Sequence, residues 1–130
     1  MQRIIQHTKK VRVLLLLATL LLLHACKEKD FMFALDDLLE TQWGIPQIIE
    51  PGMTDPVLDA PTIFYGDGVV SFGPNRYDYW QVRGERSIFI EQAKENWFII
   101  KLNPDTLYVE KTRQPDGTFL GKFMYNPMTR

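Results

Sequence analysis

After Thr41 the apolar residues fall in short runs separated by clusters of Gly, Pro, Asn and Asp, the punctuation of a β meander. Gln42-Trp43-Gly44-Ile45 opens a first predicted strand that ends near Ile49, and the stretch from Glu50 to Pro61, with three prolines and a glycine, reads as a long irregular loop. Seven further strands are predicted over 62–65, 69–72, 77–83, 86–91, 97–102, 106–112 and 118–125. Gly66-Asp67-Gly68 is a hairpin signal, and Asn103-Pro104-Asp105 has the pattern of a type I turn. Strict alternation assigns one face to Val70 and Phe72, Trp80 and Val82, Ile88 and Ile90, Phe98, Ile100 and Leu102, Leu107 and Val109, and Phe119, Gly121 and Phe123. The opposite face carries Gln81, Arg83, Glu91, Lys101, Tyr108, Glu110 and Lys122. The turns are close together and leave no room for crossover helices, so the class is all-β and antiparallel. Eight strands with one apolar face close most economically into an up-and-down barrel, because closure removes the exposed edges; a two-sheet sandwich is the alternative.

The chain before Thr41 has a different pattern. Arg3, Lys9, Lys10 and Arg12 precede an unbroken apolar run from Val13 to Leu23, with no acidic residue among them. This is the profile of an export signal, and the run is far shorter than the roughly 20 residues of a membrane-spanning helix. Residues 1–25 are therefore expected to be a removed signal peptide, with the mature domain delivered outside the cytoplasm. In Asp30 to Glu40, Phe31, Leu35, Leu38 and Leu39 share a helical face opposite Asp36, Asp37 and Glu40, which predicts a short amphipathic helix with Asp30 as its N-cap. The acids of that helix read as a solvated face rather than a cation site. The expected organisation is a signal over 1–25, a tether with the short helix over 26–40, the β domain over 41–125 and a tail over 126–130.

Composition narrows the function classes. The first 25 residues hold four of the 15 basic side chains and none of the 16 acidic ones, so the mature chain carries a net charge of −5. A modestly acidic domain is a poor partner for nucleic acid. Both histidines, His7 and His24, lie in the removed segment, and Cys26 is the sole cysteine. No imidazole remains for a Ser-His-Asp or Cys-His site, and neither a Cys/His zinc site nor an internal disulfide can form. Carboxylate pairs such as Asp55 with Asp59, or Asp78 with Glu110, have no visible nucleophile to serve, so no catalytic site, metal or cofactor is expected.

Leu22-Leu23-His24-Ala25-Cys26 resembles the lipobox of bacterial lipoproteins, with an aliphatic residue three before the cysteine and a small one directly before it. The resemblance implies lipidation (palmitate or a related acyl chain) at Cys26 and anchoring in the membrane through the N-terminal lipid. Secretion with Cys26 as a buried or free thiol is the alternative, disfavoured because an unpaired thiol in an oxidising compartment has no role there. Lys27-Glu28-Lys29-Asp30 resembles the charged stretch that accompanies export to the outer membrane in lipoproteins of the Bacteroidota. The outer membrane, on its periplasmic or cell-surface side, is the expected location.

Within the β domain, Leu39-Glu-Thr-Gln-Trp43, Ile63-Phe-Tyr-Gly-Asp-Gly-Val69, Tyr79-Trp-Gln-Val82 and Ile99-Ile-Lys-Leu-Asn-Pro-Asp-Thr-Leu107 resemble segments of the small lipocalin-like lipoproteins of that group. Thr41 stands where the glycine of the lipocalin Gly-x-Trp would fall. The resemblance implies an eight-stranded barrel that binds a small hydrophobic or amphipathic ligand. Trp43, Phe72, Trp80, Phe98 and Phe123 are the candidate ligand contacts, and the abundance of inward Trp, Phe and Ile leaves open whether the barrel is hollow or filled. The alternative function is a protein-interaction or inhibitor module of the cell envelope, making contact through the 50–61 loop and the 77–80 stretch, with Tyr77 and Tyr79 as candidate partner residues.

Overall fold

The computed structural model describes residues 31–53 and 59–128. Eight antiparallel strands form one sheet: β1 (Gln47–Pro51), β2 (Ile63–Phe64), β3 (Val69–Gly73), β4 (Arg76–Arg83), β5 (Ser87–Ile90), β6 (Glu95–Asn103), β7 (Thr106–Arg113) and β8 (Thr118–Tyr125). The spatial order is β1-β8-β7-β6-β5-β4-β3-β2. Strands β2 to β8 thus follow the chain as a meander, and β1 lies outside β8. The sheet curls into a half-barrel, and the described residues form this single sheet rather than the two of a sandwich.

The turns form where their chemistry places them. Asp67, Asn103 and Asp116 each accept, through Oδ1, the backbone N–H two residues on, from Val69 at 3.1 Å, Asp105 at 2.9 Å and Thr118 at 3.2 Å. Strand β7 shows the expected period of two, with Leu107, Val109 and Lys111 inward.

The two free edges, β1 and β2, are not laddered to each other. Trp43 joins the chain on either side of them, in antiparallel bridges to Thr62 just before β2 and to Pro127 just after β8. Its backbone N–H donates to Thr62 at 3.0 Å and its carbonyl accepts from Thr62 at 2.8 Å, while Gly44 donates to the Asn126 carbonyl and Met128 to that of Gln42. The first strand is therefore displaced from its predicted place near Trp43 to Gln47–Pro51, which also claims the start of the predicted 50–61 loop. Pro46, which has no N–H, separates the Trp43 bridges from β1. The predicted tail contributes Asn126 to Met128 to this seam.

The amphipathic segment is one helical turn, α1 (Leu35–Leu38), with Ala34 at its N-cap and no side-chain cap bond; Asp30 lies outside the described residues. Leu38 alone of the turn is buried. The helix ends because Leu39 bridges to Phe64 and Glu40 adopts φ 59°. The core comprises Leu38, Trp43, Phe64, Val70, Ile88, Ile90, Trp97, Ile99, Leu102, Leu107, Val109, Phe123 and Tyr125.

Two bulges correct the predicted faces. In β6, Ile99 pairs with Val109 but Lys101 with Tyr108, so Ile100 is the extra residue. Trp97 and Ile99 point inward as a result, while Phe98 is 39% exposed; only Leu102, beyond the bulge, keeps its predicted face. Arg86 holds this bulge, donating from Nε to the Ile99 carbonyl at 3.2 Å and from Nη2 to that of Ile100 at 3.0 Å. In β8, Lys111 pairs with Gly121 but Thr112 with Phe119, which leaves Leu120 unpaired and buried and takes Phe119 off the inward face.

Candidate ligand pocket

Strand β4 turns Arg76, Asp78, Trp80 and Val82 toward the interior, opposite a β3 whose Val70 pairs with Asp78. Asp78 is 5% exposed, and its carboxylate is fully occupied. Oδ1 accepts the backbone N–H groups of Tyr79 at 2.7 Å and Gln92 at 2.8 Å, and Oδ2 accepts that of Ala93 at 2.9 Å. Its work is to hold the β5–β6 turn against β4. Arg76 pairs with Asp59 across the neighbouring β3–β4 turn. Gly73 makes room for that guanidinium, since a Cβ there would lie 2.7 Å from Arg76 Nη2 and 2.9 Å from the Ala60 side chain.

Between these turns and the chain at Pro46, Ala60 and Thr62 lies a cavity of about 470 Å³. Phe72 and Trp97 supply apolar wall, and Glu95, Lys111 and Tyr125 its deeper polar groups. Lys111 is 6% exposed, and its Nζ donates to Tyr125 Oη at 2.6 Å. The same nitrogen lies 3.9 Å from the centroid of the Trp97 ring, 4.5 Å from that of Phe123 and 5.2 Å from that of Tyr125. Gly121 (φ 134°) permits the arrangement, because a Cβ would come within 2.8 Å of the Phe123 ring that lies beneath the amine. Trp97 stacks on Tyr125, with centroids 5.9 Å apart and planes 17° from parallel, and donates from Nε1 to Glu95 Oε1 at 3.1 Å.

The electrostatics follow from burial. Desolvation lowers the Lys111 amine to about 8, against an opposing pull from the Glu95 carboxylate. Burial likewise pushes the Tyr125 phenol upward, with Glu95 adding to the rise and the Thr62 hydroxyl opposing it, so the phenol keeps its proton. Such a site can present a cation and a hydroxyl donor to an acceptor while its aromatic walls cover an apolar body. Among the described residues no cluster of acids or sulfur and nitrogen ligands could hold a metal ion.

Of the candidate contacts predicted from sequence, Phe72 lines this cavity. Phe123 is buried under Lys111. Trp80 packs edge-on against Phe64 at 5.7 Å and donates from Nε1 to the Tyr65 carbonyl at 2.9 Å, away from the cavity. Trp43 is fully buried at the seam, where its Nε1 donates to the Leu38 carbonyl at 3.1 Å. Phe98 is excluded, because it lies on the outer face, where the Arg86 guanidinium sits 5.4 Å from both its ring and that of Phe33. Tyr77 and Tyr79 stand on the outer face of β4, 59% and 41% exposed, with rings edge to face at 6.2 Å; Tyr77 also reaches the cavity rim. Cys26 and Asp55 lie outside the described residues. Asp78 and Glu110 do not meet, since Glu110 neighbours the inward Val109 and Lys111 on β7 and so faces outward.

Lys111, Tyr125, Trp97, Glu95 and Asp78 were not singled out from sequence as ligand contacts. Lys111 was legible as the next inward position after Leu107 and Val109, and Tyr125 as the next after Phe123. No family model matches the chain, and no match is found among curated proteins or solved structures.

Proposed function

We propose that the chain is a lipid-anchored protein of the bacterial cell envelope that binds a small amphipathic molecule in the half-barrel. The cavity is the observation that carries the binding half of this reading: about 470 Å³ of space lined in part by the Phe72 and Trp97 rings, with the buried Lys111 amine and Tyr125 phenol in its wall. Its wall joins apolar surface to several convergent polar groups, the combination that holds a small molecule and fixes its orientation. The volume falls within the roughly 300–1,000 Å³ of small-molecule pockets.

The export signal and the Leu22–Cys26 lipobox support the anchor. Labelled palmitate fed to cells expressing the full chain is expected to enter the protein, and Cys26→Ser is expected to abolish both the label and membrane partition. A Cys26→Ser chain that stays labelled and membrane-bound would remove the anchor from the proposal. For the pocket, native mass spectrometry of the full-length protein taken from its own membranes is expected to show a recurrent small bound mass that dissociates on denaturation. A second reading, contact with an envelope protein, rests on the exposed Tyr77 and Tyr79 pair. It predicts that Tyr79→Ser, at the tyrosine of the pair that does not reach the cavity, loses a recurrent cross-linked partner in cells while the bound small molecule is retained.

A further inference from the structure

Among the described residues, the charged groups of the cavity wall divide into two that are directly matched, Asp78 and Arg76, and two that have a single neutral partner each, Glu95 and Lys111. Asp78 accepts three backbone N–H groups, Arg76 pairs with Asp59, and Glu95 accepts the Trp97 indole N–H. Lys111 has no carboxylate within ion-pair distance among the described residues; the pairs there are Arg76 with Asp59 and Lys122 with Glu50. Its Nζ has three donors as an ammonium and a single oxygen partner, Tyr125 Oη. The other contacts are faces of aromatic rings, which attract a cation but do not replace a counter-ion. Glu95 draws on the amine only from beyond ion-pair distance, so no anion meets Nζ directly, and the open side of the cavity is where one can arrive.

We infer that the ligand carries one carboxylate head, seated against Lys111 Nζ and Tyr125 Oη, with its apolar body along Phe72 and Trp97. This rests on the small-molecule reading above and names the class of molecule. One cation beside a phenol matches a monoanion. The Glu95 and Asp78 carboxylates in the same wall repel a second negative charge, which sets phosphate monoesters and dicarboxylates at a disadvantage. The phenol keeps its proton and donates it to one carboxylate oxygen while the amine meets the other, a pair of charge-assisted bonds.

The test uses full-length protein in lipid nanodiscs, titrated by calorimetry and tryptophan fluorescence with three soluble probes of one shape: phenylbutyrate, phenylbutanol and phenylbutylamine. The carboxylate is expected to bind about tenfold or more tightly than the alcohol, and the amine more weakly than either. Lys111→Met, which fills the amine's space with an apolar chain, is expected to bring the carboxylate down to the alcohol's affinity and leave the alcohol unchanged. Tyr125→Phe, which removes one donor and keeps the ring, is expected to narrow the preference partway, and it serves if Lys111→Met fails to fold. Equal binding of alcohol and carboxylate by the wild type, or a preference that survives in Lys111→Met, overturns the carboxylate head while leaving ligand binding intact. Binding of none of the three probes overturns both.

Discussion

At the scale of single residues, Lys111 couples the stability of the fold to pH. The folded state holds its amine at about 8 rather than the ordinary 10.5, so between those values the unfolded chain binds the proton that the folded chain has lost. Stability therefore rises with pH through this window, and the cost of burying the charge is fully present below about pH 8. Tyr125 acts in the opposite sense, because a phenol held above its ordinary 10.0 favours the protonated folded state less and less as the unfolded phenol ionises. The gain from Lys111 is thus clearest from pH 8 to 10, where it amounts to about 2 kcal/mol. Urea unfolding across that interval is expected to show the rise in the wild type and none in Lys111→Met, which should also be the more stable protein at pH 7. A wild-type curve parallel to that of Lys111→Met would mean that the amine is not desolvated in solution. The position of this lysine was readable from the alternation in β7; its importance was not, since nothing local reports that the Trp97, Phe123 and Tyr125 rings converge on it.

The elements show why some side chains were assigned to the wrong face. Each strand was legible to within a few residues where Asp, Asn and Gly mark its ends, as at Asp67, Asn103 and Asp116. The two bulges were not, because a bulge is fixed by partners distant in sequence. Phe98-Ile99-Ile100 reads equally well in either register, and it is Arg86, 13 residues before Ile99, that selects one by binding the carbonyls of Ile99 and Ile100. Arg86→Ala leaves those two acceptors without their charged donor and strips the stack between Phe33 and Phe98, so it is expected to destabilise the domain by about 2–3 kcal/mol. Amide exchange should quicken at Lys101 and Phe98 more than in β8. The β5–β6 turn depends in the same way on Asp78. Asp78→Asn retains one acceptor but sets an amide N–H₂ against a backbone N–H, so faster exchange at Ala93 and a loss of about 1–3 kcal/mol are expected.

At the scale of the whole molecule, the filled and hollow parts of the half-barrel follow from how its edges meet. The predicted barrel closure already set β1 beside β8, but the alternation could not say that β1 and β2 would stay unpaired and leave the barrel half open, because strand partners far apart in sequence have no local signature. That choice leaves a seam, and the cavity opens beside it, at Pro46, Ala60 and Thr62. Trp43 pins the seam from within, through backbone bonds to Thr62 and an indole bond to Leu38, and Thr62 is also a wall of the pocket. Stability and binding should therefore be coupled at this residue and separable elsewhere. Trp43→Phe keeps the backbone bridges and most of the buried area while leaving the Leu38 carbonyl unpaired, so about 1–3 kcal/mol is lost and probe affinity in the pocket is retained. Trp43→Ala removes the wedge itself, costing about 3–5 kcal/mol and loosening Thr62, so affinity falls with stability. Measuring both quantities in both variants, with Arg86→Ala as the control that weakens the sheet far from the seam, decides the matter. If Arg86→Ala loses as much affinity as Trp43→Ala at equal stability, the pocket depends on global stability and the seam has no special part in it.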